Sequence, residues 1–520
     1  MNRLTLSICL ALVILLSACS TATPTPPPTA ARPTPIPPTA PNAAALSFIE
    51  IDPRGYYFRT ASGEPFIPIG FNEHQNLLDQ DKYPPEVLDH YFAELEAHGV
   101  NTVRLFLSSD RLGVNSWLSD VGRCGATPCS ERTAARLAVL AEIAAAHGVR
   151  LMLSAHAGEL FKEDTWAAYP YNAANGGPCA NRFEMLDRDD PCGQRVVDDI
   201  TAMVDAIAGS PVVMAWDLMN EIDNFIAYGV GMTPVQRAQA LQRWINEAPG
   251  LIETYEPDRY GRARLTTVSL SKPERIVTNG IDYWDNSAFD FPSAHSYLPE
   301  IRLPNSPEEA AEFMRTYTLA NIAAMSVRRP YLDTEIPNCR DLSTPDKFCT
   351  DQDFLAVHHA VGWSALMSGA AGSGLRFARQ PTAWGWTDPV TGVTYPQLGA
   401  VSQAMLDDYL AMSRFVALVD WTRLPAEDFT SHYAAGGHIV MGVGDASFAI
   451  GWIMRDRRSS LPPPDRLDLT GLPAAPFVVT WVDDTTGDVI GSVTVMGPDA
   501  SVPLPEFSTS IAFILEVGAD

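Results

Sequence analysis

An alternation of short apolar runs with amphipathic stretches, from residue 60 to about residue 418, constrains the fold of this chain more than any other feature. Eight apolar runs have the length and composition of buried strands, and most stretches between them carry apolar residues at helical spacing. The strand candidates are 65–71, 100–107, 149–155, 212–218, 265–270, 291–295, 331–335 and 369–377. Eight strand–helix units in about 360 residues favour a (β/α)8 barrel.

A doubly wound open sheet is the alternative α/β fold for such an alternation. That fold usually carries a glycine-rich phosphate loop after its first strand. Residues 70–76 stand at this position and read GFNEHQN, without the Gly-x-Gly-x-x-Gly spacing. We therefore predict an α/β fold of the (β/α)8 TIM barrel type, assigned to residues 45–424.

The remainder of the chain, residues 425–520, has a different pattern. Short runs that alternate apolar and polar residues are separated by segments rich in turn-forming residues, which is typical of antiparallel strands. The runs are 438–443, 447–452, 477–482, 489–495 and 509–517. They predict a small antiparallel β-sandwich domain that begins near Pro425.

The N-terminus has the pattern of an export signal. Residues 1–19 contain Arg3, an apolar run over 4–16 and small residues before Cys19. The run is shorter than the about 20 residues of a membrane-spanning helix. Its end resembles a bacterial lipoprotein box, which implies lipidation of Cys19; an ordinary signal peptide is the alternative. Residues 20–44 are rich in proline and threonine and predict a disordered linker. We expect a lipoprotein anchored to the cell membrane and facing the extracellular or periplasmic side.

The six cysteines that follow the linker fall into three sequence-local pairs. They are Cys124 with Cys129, Cys179 with Cys192, and Cys339 with Cys349. Local disulfides fit an oxidising compartment, and free thiols or a metal cluster are the alternatives. A zinc site would favour closer Cys-x-x-Cys spacing, which these cysteines lack.

The charge of the chain limits its partners. Asp and Glu total 62 against 36 Lys and Arg, so the formal net charge is −26. A surface this acidic repels phosphate backbones, and we expect no nucleic-acid partner. The acidic stretch 187–190 lacks the ligand spacing of an EF-hand loop and is interpreted as a solvated loop.

Polar side chains gather at the ends of the predicted barrel strands, where barrel enzymes place their sites. A carboxylate beside a buried strand is costly unless it is paired or used. Glu221 ends the fourth strand and Glu335 ends the seventh. The other polar residues at strand ends are Asn72, Arg104, His156, Asn220, His295 and Tyr297.

In their order along the chain, these elements resemble those of clan A glycoside hydrolases, most closely family 5, the cellulase and mannanase type. The resemblance implies retaining hydrolysis with Glu221 as the acid/base and Glu335 as the nucleophile. It implies that Arg104 keeps Glu335 ionised, Tyr297 donates to Glu335, and His295 lies near Glu221. Asn220 would bind the sugar 2-hydroxyl. The expected lining residues are His156, Asn72 and a stacking Trp384, with Trp166, Tyr169, Trp284 and Trp386 as further aromatic candidates.

The resemblance implies a β-glycoside hydrolase that cleaves β-1,4-type linkages in an external β-mannan, β-glucan or derived oligosaccharide, and we expect a monomer. Two-glutamate chemistry needs no metal and no cofactor. A non-catalytic glycan-binding lipoprotein on the same scaffold is the alternative, and an adhesive role of the C-terminal domain is a third hypothesis. The sugar, the linkage and endo against exo action stay open, because loop shape decides them.

Overall fold

Eight parallel strands close into a barrel in a computed structural model of the chain, which describes residues 46–73, 77–78, 82–107, 129–229, 231–297, 306–336, 351–376, 386–395 and 403–518. The strands are Gly70–Glu73, Thr102–Phe106, Arg150–Ser154, Val213–Asp217, Leu265–Thr267 with Ser269–Leu270, Ser293–His295, Leu332–Glu335 and Leu375–Arg376. Neighbours in sequence are neighbours in the sheet, and a parallel bridge between Ile336 and Arg376 joins the seventh strand to the eighth. The predicted barrel is confirmed.

The first predicted strand is shorter than the apolar run that suggested it. Pro65–Phe66 pairs with Phe58–Thr60, which pairs with Ile49–Ile51, in a separate antiparallel sheet. The barrel strand begins only at Gly70. Its parallel partner Thr102–Phe106 lies so close that a Cβ at position 70 would stand 1.7 Å from the Thr102 carbonyl oxygen.

Helices follow the strands and cover the barrel. They are Pro85–Ala97, Cys129–Ala146, Glu163–Ala168, Pro191–Ile207, Asn224–Tyr228, Pro234–Glu247, Pro249–Tyr260, Pro273–Thr278, Pro307–Ala323, Asp351–Leu366 and Gln403–Leu418. Many begin with proline, whose missing N–H is not needed in a first turn. Two of them, Pro234–Glu247 and Pro249–Tyr260, are nearly continuous; Pro249 cannot donate a helical hydrogen bond and opens the second helix.

Two antiparallel sheets follow the last barrel helix. One has five strands in the order Ile439–Gly444, Phe448–Met454, Ser510–Val517, Pro476–Val482 and Val489–Met496. The other has three, Tyr433–Ala434, Arg466–Leu469 and Ala500–Pro503. Leu467 and Val502 of the small sheet share a core with Phe513 of the large one, which makes the two sheets a sandwich.

Three strands of the large sheet, Ile439–Gly444, Phe448–Met454 and Ser510–Val517, are buried on both faces, because the second face lies against the barrel, whereas the edge strand Val489–Met496 is largely exposed. Apolar residues of this face belong to the barrel core: Met441, Val443, Phe448, Ile450, Trp452, Met454, Val482, Ala512 and Ile514. Barrel and sandwich belong to one compact unit. The boundary near Pro425 itself stays a prediction.

A buried ionic cluster crosses this interface. His359 of the helix Asp351–Leu366 contacts Asp408 Oδ1 through Nδ1 at 2.6 Å and Asp484 Oδ2 through Nε2 at 3.1 Å. Asp484 belongs to the sandwich and also accepts a hydrogen bond from Trp452 Nε1 at 2.6 Å. An imidazolium therefore links a barrel helix to the sandwich through two carboxylates.

Among the described residues, Cys179 and Cys192 form a disulfide, as predicted. The predicted lipidation site Cys19 and the cysteines Cys124, Cys339 and Cys349 lie outside the described residues, as does the side chain of Cys129. No helix in the described part of the chain has both the length and the apolar composition of a membrane span.

Candidate active site

Arg104, on the second strand, is the centre of the polar cluster inside the barrel mouth. It is fully buried, and its Nη1 donates to Asn72 Oδ1 at 2.7 Å and to Glu335 Oε1 at 2.8 Å. Its Nη2 donates to Asp217 Oδ2 at 2.5 Å and to Asn220 Oδ1 at 2.7 Å. One guanidinium thus orients side chains from the first, fourth and seventh strands and neutralises two buried carboxylates.

A bulge at the end of the seventh strand aims Glu335 into the barrel. Ala294 pairs with Asp333 and His295 with Glu335, so Thr334 is an extra residue on the seventh strand. Residues two apart normally share a face of a strand. Asp333 lies against the helix Pro307–Ala323, where its Oδ2 accepts from Thr318 Oγ1 at 3.1 Å. The extra residue gives Glu335 the opposite direction, as bulges beside active sites do.

Glu335 is surrounded by hydrogen-bond donors. Besides Arg104, the Tyr297 hydroxyl donates to its Oε2. His295 Nδ1 lies 3.4 Å from the same oxygen. Arg104 and Tyr297 favour the ionised form of this carboxyl group.

Glu221 has a left-handed backbone with φ of 53°, which is unusual for a residue other than glycine. The surrounding structure holds this conformation. The Glu221 N–H donates to Ser269 Oγ at 3.2 Å, and the Asn224 N–H donates to the Glu221 carbonyl at 2.9 Å. Gly158 lies directly below, where a Cβ would stand 2.1 Å from the Glu221 carbonyl oxygen. The loop after the third strand therefore needs glycine at position 158.

The two glutamates meet beside His295. His295 Nδ1 lies 3.0 Å from Glu221 Oε1. One carboxylate oxygen of Glu221, one of Glu335 and a ring nitrogen of His295 all lie within 4.8 Å of one another. The structure thus brings together residues that are 114 positions apart in the sequence.

The environments of the two carboxyl groups differ. Burial raises the pKa of Glu221, and the charge of Asp223 raises it further. Burial also raises the pKa of Glu335, but His295 and Arg104 oppose that effect. Burial lowers the pKa of His295. The pattern favours Glu221 as the protonated member of the pair and Glu335 as the ionised one.

The predicted lining residues Asn72 and His156 are both buried. Asn72 is buried and donates to the carbonyls of Thr334 and Leu375 at 2.7 and 3.0 Å. His156 is also buried, with its ring centroid 6.3 Å from that of Tyr171, and burial lowers its pKa to about 4. A sugar contact of either residue stays a prediction.

The aromatic candidates for a stacking platform are buried where they are described. These are Trp166, Tyr169, Trp284 and Trp386. Trp386 packs on Tyr395 and Tyr91, with ring centroids 6.1 and 5.3 Å away. Trp384 lies outside the described residues, and its role as platform stays a prediction.

Three residues of the cluster were not singled out from the sequence. Asp217 and Ser269 both contact Arg104, and Asn224 contacts Glu221. Asp217 carries a signal in hindsight, because it is the lone acidic residue at the end of an otherwise apolar strand. Ser269 and Asn224 are small polar residues of a type that is frequent after any strand.

Two groups of side chains in the described part of the chain have the proximity of metal ligands. One is Glu221, His295 and Glu335. Its glutamates already accept hydrogen bonds from Arg104 and Asn224, and a cation would have to approach the positive charge of Arg104. The other group includes Cys192, whose sulfur is in the disulfide and is not available as a thiolate.

Comparisons with known proteins agree on the fold. No protein-family model matches the chain, and no curated protein matches it. A solved structure described as a glycoside hydrolase is similar over 92% of this chain and 99% of its own, with a TM-score of 0.60 and 11% identity. A family 5 glycoside hydrolase from Bacteroides vulgatus is similar over 92% of this chain and 95% of its own, with a TM-score of 0.57 and 12% identity. The chain therefore has the fold of these two glycoside hydrolase structures, one of which belongs to family 5.

Proposed function

We propose that this chain is a retaining β-glycoside hydrolase. The observation that carries the proposal is the approach of Glu221 and Glu335, with carboxylate oxygens within 4.8 Å. Retaining glycosidases hold their two carboxyl groups about 5–5.5 Å apart, whereas inverting enzymes need about 6.5–9.5 Å to admit a water molecule. The separation favours direct attack by one carboxylate.

Glu335 is the nucleophile in this mechanism. Donation from Arg104 and Tyr297 keeps its carboxylate charged until it attacks the anomeric carbon. Glu221, raised in pKa by burial and by Asp223, protonates the leaving oxygen in the same step. In the second step the ionised Glu221 removes a proton from water, which releases the sugar from Glu335 with net retention.

Asn220 holds the reacting sugar in this proposal. Its Oδ1 accepts hydrogen bonds from Arg104 and, at 3.4 Å, from Ser269 Oγ. This fixes the amide so that Nδ2 is the group available to a ligand, as binding of the 2-hydroxyl requires. Such a contact strengthens as the transition state forms.

The substrate class that we propose is a β-1,4-linked mannan or glucan, or an oligosaccharide derived from one, outside the cell. The chain would act as a monomer held to the membrane by a lipid on Cys19. These parts of the proposal rest on the sequence motifs.

The sandwich is assigned a structural role, because one face of its large sheet is buried against the barrel.

An activity screen over purified β-mannans, β-glucans, xylan and aryl β-glycosides tests the proposal. We expect release of reducing sugar or of the aryl group from at least one substrate. Affinity electrophoresis in gels containing the same polysaccharides provides the second measurement. Binding to a polysaccharide without hydrolysis of any substrate would overturn the proposal and favour a non-catalytic glycan-binding protein.

A further inference from the structure

Asn224, three residues after Glu221, contacts the candidate acid/base in a way that the two-glutamate mechanism does not require. It is buried at the start of the short helix Asn224–Tyr228. Its Nδ2 donates to Glu221 Oε2 at 2.8 Å. The other carboxylate oxygen, Oε1, lies 3.0 Å from His295 Nδ1. The two oxygens of Glu221 therefore have different neighbours.

The amide of Asn224 is held in this orientation from behind. Arg275 Nη1 donates to Asn224 Oδ1 at 2.9 Å, and a guanidinium can only donate. The same nitrogen donates to Asp223 Oδ2 at 3.0 Å. Asp223 is fixed in turn by the backbone and hydroxyl of Ser271 at 2.7 and 2.9 Å. A rotated amide would turn its NH2 group toward Arg275, so the NH2 group faces Glu221.

An amide NH2 group can only donate, and the oxygen opposite it must accept. A proton on Glu221 Oε2 would point at another donor. The proton of the acid form therefore lies on Oε1, and His295 is then the neutral tautomer whose Nδ1 accepts, in keeping with the burial that lowers its pKa. Because the same His295 nitrogen is 3.4 Å from Glu335 Oε2, Oε1 is on the side of the nucleophile and of the bond to be cleaved.

We propose that Asn224 is a positioning residue for the acid/base: it occupies Glu221 Oε2 as a donor and confines the catalytic proton to Oε1. The inference rests on the proposed function of Glu221. Donation to Oε2 also stabilises the ionised Glu221 that the second step needs as a base. Asn224 thus acts on both steps through Glu221, without touching the substrate.

The expected effect on pH dependence follows from the groups around Glu221. Burial and Asp223 raise the pKa of Glu221, while Asn224, Lys162 and Arg104 lower it. Loss of the Asn224 donor removes one lowering contribution, so the pKa of Glu221 rises. Because Glu221 must be protonated in the first step, the alkaline limb of kcat/KM moves to higher pH.

Two variants and a control test the inference. Asn224→Leu removes the donor, and we expect the alkaline limb to move up by about one pH unit. Asn224→Asp keeps the shape but places a carboxylate against Oε2, and we expect a larger upward shift. Asn286→Leu is the control: this buried asparagine bonds Asn246 at 2.7 Å and lies before the sixth strand, at the opposite end of the barrel. Asn286→Leu should leave the pH of the alkaline limb of kcat/KM unchanged.

A titration that does not depend on turnover separates this inference from the proposed function. The glutamate side-chain carboxyl carbons are labelled with 13C, and the Glu221 signal is assigned by its loss in Glu221→Gln. An upward shift of the Glu221 midpoint in both Asn224 variants supports the inference. An unchanged midpoint and an unchanged alkaline limb in Asn224→Asp, the variant of nearly equal shape, would overturn it. A wild-type protein without hydrolytic activity would refute the proposed function instead.

Discussion

Glu335→Gln is expected to lower hydrolysis by at least about a thousandfold, because the nucleophile that forms the covalent intermediate is lost. Glutamine fits the same space: its carbonyl oxygen can accept from Arg104, and its NH2 group can donate to the Tyr297 hydroxyl oxygen. The fold and the binding of glycan should therefore persist. The measurement is kcat/KM on the substrate found in the screen, together with affinity electrophoresis on the corresponding polysaccharide.

Glu256→Gln is the matched control for this variant. Glu256 is also buried and paired with an arginine, Arg264, but it lies before the fifth strand, away from the barrel mouth. We expect this control to lose stability without a comparable loss of kcat/KM. Full activity in Glu335→Gln would contradict the assignment of the nucleophile.

His359→Gln is expected to cost about 3–5 kcal/mol of the free energy of unfolding at neutral pH, because two buried carboxylates lose the cation between them. Burial lowers the pKa of His359, but Asp484 and Asp408 outweigh burial and raise it to about 10. The neighbouring His358 does not supply a replacement charge, because burial and Arg376 lower its pKa.

The raised pKa of His359 sets the pH range over which His359→Gln lowers the free energy of unfolding. Its stabilisation is fully present below the ordinary histidine pKa of about 6.5 and is lost as the pH rises through about 10. Urea unfolding between pH 6 and pH 10 should therefore show the difference between wild type and His359→Gln shrinking with pH. The control is His432→Gln, a half-buried histidine of the sandwich whose Nδ1 contacts the Thr470 carbonyl oxygen at 2.8 Å. A difference that stays constant over this range would contradict the ionic link.

The positions of the barrel strands could be predicted from the sequence because parallel barrel strands are buried on both faces and appear as continuous apolar runs. Glu221 and Glu335 near the ends of those runs, and Arg104 inside one, were also visible, since charged residues are conspicuous in or next to buried segments. The aromatic platform could not be predicted in the same way. Trp386, for example, follows a strand, but packing with Tyr91 and Tyr395 buries it.

The directions in which the side chains at the strand ends point could not be predicted from the sequence pattern. The alternation of side-chain directions along a strand would place Glu335 on the same face as Asp333. The extra residue Thr334 turns the Glu335 side chain to the opposite face. The sequence Met219-Asn220-Glu221 does not predict a positive φ at Glu221. That backbone conformation depends on the close approach of Gly158 from another loop. Such features arise from contacts between distant segments.

The ionic link between the barrel helices and the sandwich could not be predicted either, because it also joins segments that are distant in the sequence. His359 lies in a helix whose described residues are mostly buried, and Asp484 was visible only as part of a turn-rich segment. The short strands Arg466–Leu469 and Ala500–Pro503 also lacked a clear pattern, because four residues give little alternation to detect. Their pairing depends on the core that they share with the larger sheet.

The central claim is that Glu335 and Glu221 hydrolyse a β-glycoside by double displacement. The most direct test is to follow the anomeric proton of the first-formed product by 1H NMR while the wild-type protein hydrolyses its substrate. The account predicts that the β-anomer appears first and converts to the α-anomer by mutarotation. First appearance of the α-anomer would show inversion and contradict the account.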